Sequence, residues 1–204
     1  VEATRSKRQA MSDSFPALTF HSMPIGAGYA RPEQQYPGGL SVDSPAIQAM
    51  TDLRETTALT VERTNTLAAT RERMRKLGVR MLLVTDATGA VMGIVTATDL
   101  DSGRPEKIAA KTGERPEDLL VQDIMTLRGR IEVLKLHDVG NANVGQVLSS
   151  LREAGRRHAL VLDATNDEIC GIFSLTRLCG QIGLDIEIGA PGAAIEEALA
   201  TVLD

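Results

Sequence analysis

Hydrophobic positions in this chain fall in short runs cut by turn residues, and the arrangement of runs occurs twice. In the first pass, Thr57 to Val61 reads as a short strand, and Thr64, Asn65 or Thr66 as the cap of a helix with Leu67, Met74 and Leu77 on its apolar face. Gly78 stands where a helix C-terminus expects a glycine. Val79 to Val84 is almost continuously apolar, the mark of a strand buried on both faces. Asp86-Ala87-Thr88-Gly89 is turn chemistry, after which Val91 to Val95 returns and runs into Thr96-Ala97-Thr98-Asp99-Leu100, a helix start. A short helix near Ile47, Ala49 and Met50 precedes this unit, beginning at Pro45.

The second pass follows a connection, residues 102–122, which Gly103, Pro105, Gly113 and Pro116 divide into two short helical pieces. Asp123-Ile124-Met125-Thr126 echoes Ala49-Met50-Thr51, and Ile131 to Leu136 is the next strand. Asn143 caps a helix with Val144, Val147, Leu148 and Leu151 at i, i+3, i+4 and i+7. Met74 to Gly89 laid on Leu151 to Asn166 gives eight identities in sixteen, among them Gly78/Gly155, Arg80/Arg157 and Asp86/Asp163. Chance would supply about one, so this is an internal repeat. One extra residue in the second turn then sets Gly171 to Arg177 on Gly93 to Asp99. Leu184 to Ile188 alternates like an edge strand, and Pro191 to Leu203 reads as a closing amphipathic helix.

The strand-to-helix junction at Thr96 allows two kinds of chemistry. Free backbone N–H groups at a helix start can hold an anion, and a carboxylate in the first turn can accept bonds from ribose hydroxyls. Thr96-x-x-Asp99 also has the form of a capping box, which needs no ligand.

Composition narrows the classes. With 43% apolar residues the chain can fill a core, and its net charge of −5 gives no general attraction to nucleic acid or anionic lipid. No run approaches the roughly 18 apolar residues of a membrane span. No secretory signal is read, and Cys170 and Cys179 read as reduced core residues of a cytoplasmic protein. Residues 1–45 differ from the rest, holding four of the five aromatics and five of the eight prolines. They are expected to form an irregular arm docking on the body or on a partner subunit. His21, His137 and His158 are scattered singles, and no nucleophile set, phosphate loop or metal spacing is present, so no enzyme is expected.

A β-α-β-β-α unit occurring twice and ending in Gly93-Ile94-Val95-Thr96-Ala97-Thr98-Asp99 resembles the CBS (cystathionine β-synthase) domain. The resemblance implies an α/β (α+β) fold of tandem repeats packed about a pseudo-two-fold. Its parts would be the arm at 1–45, a first repeat at 46–110, a second at 111–183 and a strand and helix at 184–204. It implies a regulatory homodimer that senses AMP, ADP or ATP, controls another protein and performs no chemistry. No metal is implied, apart from Mg accompanying ATP, and neither nucleic acid nor membrane is an expected partner. By the resemblance, Asp99 would hold the ribose, Thr96 and Thr98 would bond ribose or phosphate, and Thr57, Ala58 and Leu59 would line the adenine. Arg80 would meet a phosphate, with Arg156, Arg157 and His158 adding positive charge nearby. Arg80, Arg157 and Arg177 would stabilise a phosphate chain and repel the sulfonium of S-adenosylmethionine. In the second repeat Ser174 is kept, but Arg177 replaces the carboxylate and cannot accept bonds from ribose. One nucleotide site per chain is therefore expected, the second being empty or lending Arg177 to the phosphates. The competing reading is a nucleotide-independent dimeric adaptor that docks through its N-terminal arm.

Overall fold

The structure, a computed structural model, describes residues 39–184 together with 197, 198, 200 and 201. The arm, the strand expected after Leu184 and most of the closing helix lie outside the described residues. The fold is mixed α/β, two four-stranded sheets each covered by helices, as the doubled pattern predicts.

The first sheet has the order β2–β3–β4–β5, formed by Thr60–Glu62, Met81–Thr85, Val91–Thr96 and Thr126–Leu127. Strands β2 and β3 are parallel and joined through helix α2, Leu67–Leu77, while β3 and β4 form an antiparallel hairpin. Thr66 is the residue that caps α2, accepting from Ala69 N–H at 3.2 Å, and Gly78 ends it at φ 64°. Leu67 and Met74 are buried as expected, but Leu77 is 41% exposed, since it lies past the stripe facing the sheet. Strand β3 is buried from Met81 to Val84 because helices cover one face and the other sheet the opposite face.

The second sheet repeats this with β6, Val133–Lys135, β7, His158–Asp163, and β8, Glu168–Ser174, joined by β1, Thr51–Asp52, in the order β1–β8–β7–β6. Its helix α7, Val144–Glu153, opens on a reciprocal cap: Gln146 N–H donates to Asn143 Oδ1 at 2.9 Å, and Asn143 N–H to Gln146 Oε1 at 3.0 Å. All four residues of its apolar stripe are buried. The strand expected from Ile131 to Leu136 is shorter, because Leu136 already begins helix α6, Leu136–Gly140.

The remaining strands cross over between repeats. Strand β1, Thr51–Asp52, opens the first repeat yet pairs with β8 of the second, Thr51 opposite Ile172. Helix α1, Ala46–Ala49, goes with it, its Ala46 N–H donating to the Ala142 carbonyl at 2.9 Å. Conversely helix α5, Val121–Ile124, and strand β5 complete the first sheet, with Val121 N–H donating to the Asn65 carbonyl at 2.9 Å and Ile94 opposite Thr126. Cuts at 46–110 and 111–183 follow the sequence, whereas packing exchanges the leading segment of each repeat. Neither sheet is whole without residues from the other half.

Three buried clusters result. Two lie between a sheet and its own helices, with fifteen and twelve buried members. The third, between the sheets, has only Met81, Leu83 and Leu160 buried, edged by partly buried Ala58, Val91, Ile131, Val133 and Ile169. Cys170 and Cys179 are both reduced and buried.

Candidate functional site

The parallel register sets Thr60 beside Leu83, so two residues earlier Ala58 comes abreast of Met81, which faces Thr96 across the hairpin. The sheet thus brings Thr57–Leu59, Arg80 and Thr96–Asp99 to one edge, although they are separated in sequence. The Arg80 carbonyl accepts from Ala97 N–H at 2.8 Å, tying this arginine to the first turn of helix α3, Ala97–Asp101. Thr57 and Thr98 are exposed there, and Asp99 is half-buried.

Asp99 forms the capping box. Its Oδ2 accepts from Thr96 N–H at 2.8 Å and Thr96 Oγ1–H at 2.7 Å, while its own N–H donates to Thr96 Oγ1 at 3.2 Å. Both recorded side-chain bonds of Asp99 use one oxygen, and among the described residues Oδ1 takes none. A carboxylate offers about four lone-pair sites, so capping leaves acceptor capacity for hydroxyls. Ala58 and Leu59, adjacent in sequence, face opposite sides. Ala58 borders the space between the sheets, whereas Leu59 packs on the helix-side core and its carbonyl already accepts from Leu83 N–H at 3.1 Å. That carbonyl is occupied by sheet pairing, which narrows what Leu59 can offer an adenine.

The second repeat builds the matching edge. His158 is opposite Ser174, and the Arg157 carbonyl accepts from Leu175 N–H at 2.9 Å, the counterpart of the Arg80 bond. Ser174 heads helix α8, Leu175–Gln181, without a side-chain cap bond. The reciprocal half of a capping box is also excluded there, because the Arg177 guanidinium at the third helical position has no acceptor for the Ser174 N–H. Arg177 instead donates from Nη1 to Thr51 Oγ1 at 3.1 Å, on the strand exchanged from the first half. Its side chain is thus held toward β1.

Two of the expected cations change role. Arg156 pairs with Glu132. His158 is half-buried, and desolvation first, then the charges of Arg157 and Arg80, lower its pKa to about 4, so at neutral pH it adds no positive charge. Both arginines disfavour a second positive charge on the imidazole. A spacing argument could not foresee a neutral histidine there. Its counterpart Met81, buried between the sheets, was the available signal.

His158 predicts a pH dependence. The unfolded chain, with an ordinary imidazole near 6.5, binds more protons than the folded one between about pH 4 and 6.5, so stability falls as pH drops through that window. His158→Met, which installs the residue of the first repeat, is expected to flatten the decline. Urea melts of both proteins at pH 4.5, 5.5 and 7 check this. Parallel declines would show that other groups govern the acid limb.

A separate cleft of about 630 Å³ opens at the opposite strand ends, beside the β3–β4 and β7–β8 turns. Of the residues expected to bind nucleotide only Ala58 lines it. Arg80, Thr96, Thr98, Asp99, Arg157, Ser174 and Arg177 are at the other ends of these strands. Among the described residues no three His, Cys, Asp or Glu side chains are grouped to hold a metal ion, and no helix is long and apolar enough to cross a membrane.

Comparison with known proteins agrees with this architecture. Residues 48–103 match the CBS domain family, a span containing every first-repeat residue at the Asp99 edge. No curated protein matches the sequence. Among solved structures, an uncharacterized conserved protein from Pyrococcus horikoshii is 23% identical with a TM-score of 0.52, the alignment covering 73% of this chain and 99% of that one. The CBS-domain containing protein ATU1752 from Agrobacterium tumefaciens is 20% identical with a TM-score of 0.52, covering 69% of this chain and 94% of that one. Protein MJ1225 from Methanocaldococcus jannaschii is 17% identical with a TM-score of 0.51, covering 66% of this chain and 48% of that one. The family match reaches only the first repeat, and the second follows from the internal identities and the mirrored sheet order. The chain therefore carries a CBS domain at residues 48–103 and has the fold of CBS-domain proteins.

Proposed function

We propose that this protein is a regulatory module that takes one adenine nucleotide, AMP, ADP or ATP, at the Asp99 edge and passes the signal to a partner protein. It performs no catalysis and works in the cytoplasm as a homodimer joined through its paired repeats. The observation that carries the reading is the meeting of unlike groups at one edge. Asp99 and Thr96 offer acceptors and a hydroxyl for ribose, and Arg80, whose carbonyl accepts from Ala97 N–H, stands at the same helix start. Guanidinium groups favour phosphates through charge-assisted, forked bonds. Arg177 in the second repeat cannot accept from ribose, which supports one site per chain.

The test is a thermal-shift series with AMP, ADP, ATP and S-adenosylmethionine on ligand-free protein. A nucleotide at one hundred times its Kd adds about 2.7 kcal/mol, on the order of 5–10 °C for a chain of this size. Asp99→Ala is expected to lower the unliganded Tm by only the value of a helix cap, about 1 kcal/mol, while abolishing the nucleotide increment. An unchanged increment in Asp99→Ala would refute the site. The capping box explains Asp99 without any ligand, and it favours the adaptor reading if no nucleotide shifts the wild type.

A further inference from the structure

Among the described residues, the layer between the sheets holds fewer buried side chains than either of the other two clusters. Its three buried residues contrast with fifteen and twelve in the other cores, and the partly buried residues around them form the floor of the 630 Å³ cleft. The floor takes equivalent residues from both repeats: Leu83 with Leu160, and Val91 with Ile169. Its size falls in the range of small-molecule sites, roughly 300–1,000 Å³.

The rim carries three charges, Arg128, Asp167 and Glu168. Among the described residues none of the three has an ion-pair partner. Asp167 is also the one described non-glycine residue with positive φ, 54°. The first hairpin turn meets the same left-handed requirement with Gly89, φ 85°, which also lines the cleft. Glycine adopts that conformation freely, whereas aspartate does so at some cost. The second turn accepts that cost and so sets a carboxylate at the cleft mouth.

We propose that this cleft binds an apolar α-amino acid of branched or aromatic side chain. The ammonium meets Asp167 and Glu168, the carboxylate meets the Arg128 guanidinium, and the side chain fills the apolar floor. An apolar amine would leave Arg128 unanswered, and an apolar acid would face two carboxylates. A zwitterion brings a cation for the two carboxylates to share and an anion for Arg128, and charge-assisted bonds are the strong ones beside an apolar surface. The rim charges stand at the strand ends opposite the Asp99 edge, and the two sites share only Ala58.

Thermal shift and calorimetry on the full chain test it with L-leucine and L-phenylalanine, against isoamylamine and 4-methylpentanoate. We expect one of the amino acids to raise the Tm by about 5–10 °C at one hundred times its Kd. The single-charge analogues are expected to bind at least tenfold more weakly. Arg128→Gln, Glu168→Gln and Asp167→Gly, the last relieving the turn, are each expected to weaken binding tenfold or more. Asp99→Asn is expected to leave amino-acid binding unchanged, which separates this result from the fate of the nucleotide site. No shift from either amino acid at about 10 mM overturns the proposal. So does a shift that the amine alone reproduces, or one that survives all three rim substitutions.

Discussion

Phe173→Ala is expected to destabilise the protein by about 3–5 kcal/mol, roughly 6–20 °C of Tm for a chain of this length. Phe173 is the largest fully buried side chain described, at 0% exposure. It sits on β8 inside the cluster holding Met50 from the exchanged segment, Val144 and Leu148 from α7, and Leu178 from α8. Those neighbours come from three helical segments whose backbones are fixed by their own hydrogen bonds, so collapse onto the gap is limited and the cavity cost persists. The corresponding first-repeat position is Val95, a smaller residue, so Val95→Ala removes less and should cost less. Urea denaturation monitored by circular dichroism measures both. A loss below about 1 kcal/mol for Phe173→Ala would mean that the second core repacks around the gap.

Gly93→Ala is expected to be nearly as damaging, and more so than Gly171→Ala at the matching position. A Cβ on Gly93 would lie 2.3 Å from the Thr126 carbonyl oxygen and 3.2 Å from its carbon, both backbone atoms. Relief requires β5 to move, and with it α5, whose Val121 and Ile124 are fully buried. Overpacking of this kind costs about 1–3 kcal/mol, sometimes more. A Cβ on Gly171 would lie 2.2 Å from Met50 Sδ, a side chain with several rotatable bonds that can swing aside. Met50→Ala should therefore partly rescue Gly171→Ala, a non-additive pair, while no side-chain truncation can rescue Gly93→Ala. Equal losses at the two glycines, with no rescue, would contradict this reading. The glycine that opens the Gly93 to Asp99 motif is thus required by the close approach of an exchanged strand.

Much of the candidate site was legible in the sequence. The repeat, the strand-to-helix junction at Thr96 and the change from Asp99 to Arg177 are local or pairwise patterns. Their consequences appear in place: a capping box at Thr96 and an uncapped Ser174. Less legible was what each side chain does once neighbours arrive. Arg177 bonds Thr51, far away in sequence. His158 loses its charge to burial and to arginines from both repeats. Leu59 turns from the edge because adjacent strand residues face opposite sides, and Ala58 takes the inward place.

The sequence by itself determined the elements and their kind: runs of period two and 3.6, a cap among Thr64, Asn65 and Thr66 and another at Asn143, the glycine stop at Gly78, and the doubling of the unit. These follow from interactions within a few residues, which the chain order displays. Only the tertiary structure decided that each repeat lends its leading helix and strand to the other, that Arg177 is held by Thr51 of the exchanged strand, and that an open apolar layer ends in a charged mouth. Those features depend on pairings between distant segments. Backbone hydrogen bonds there carry little residue identity, and the choice of partner is settled by which arrangement buries the apolar faces of both sheets together.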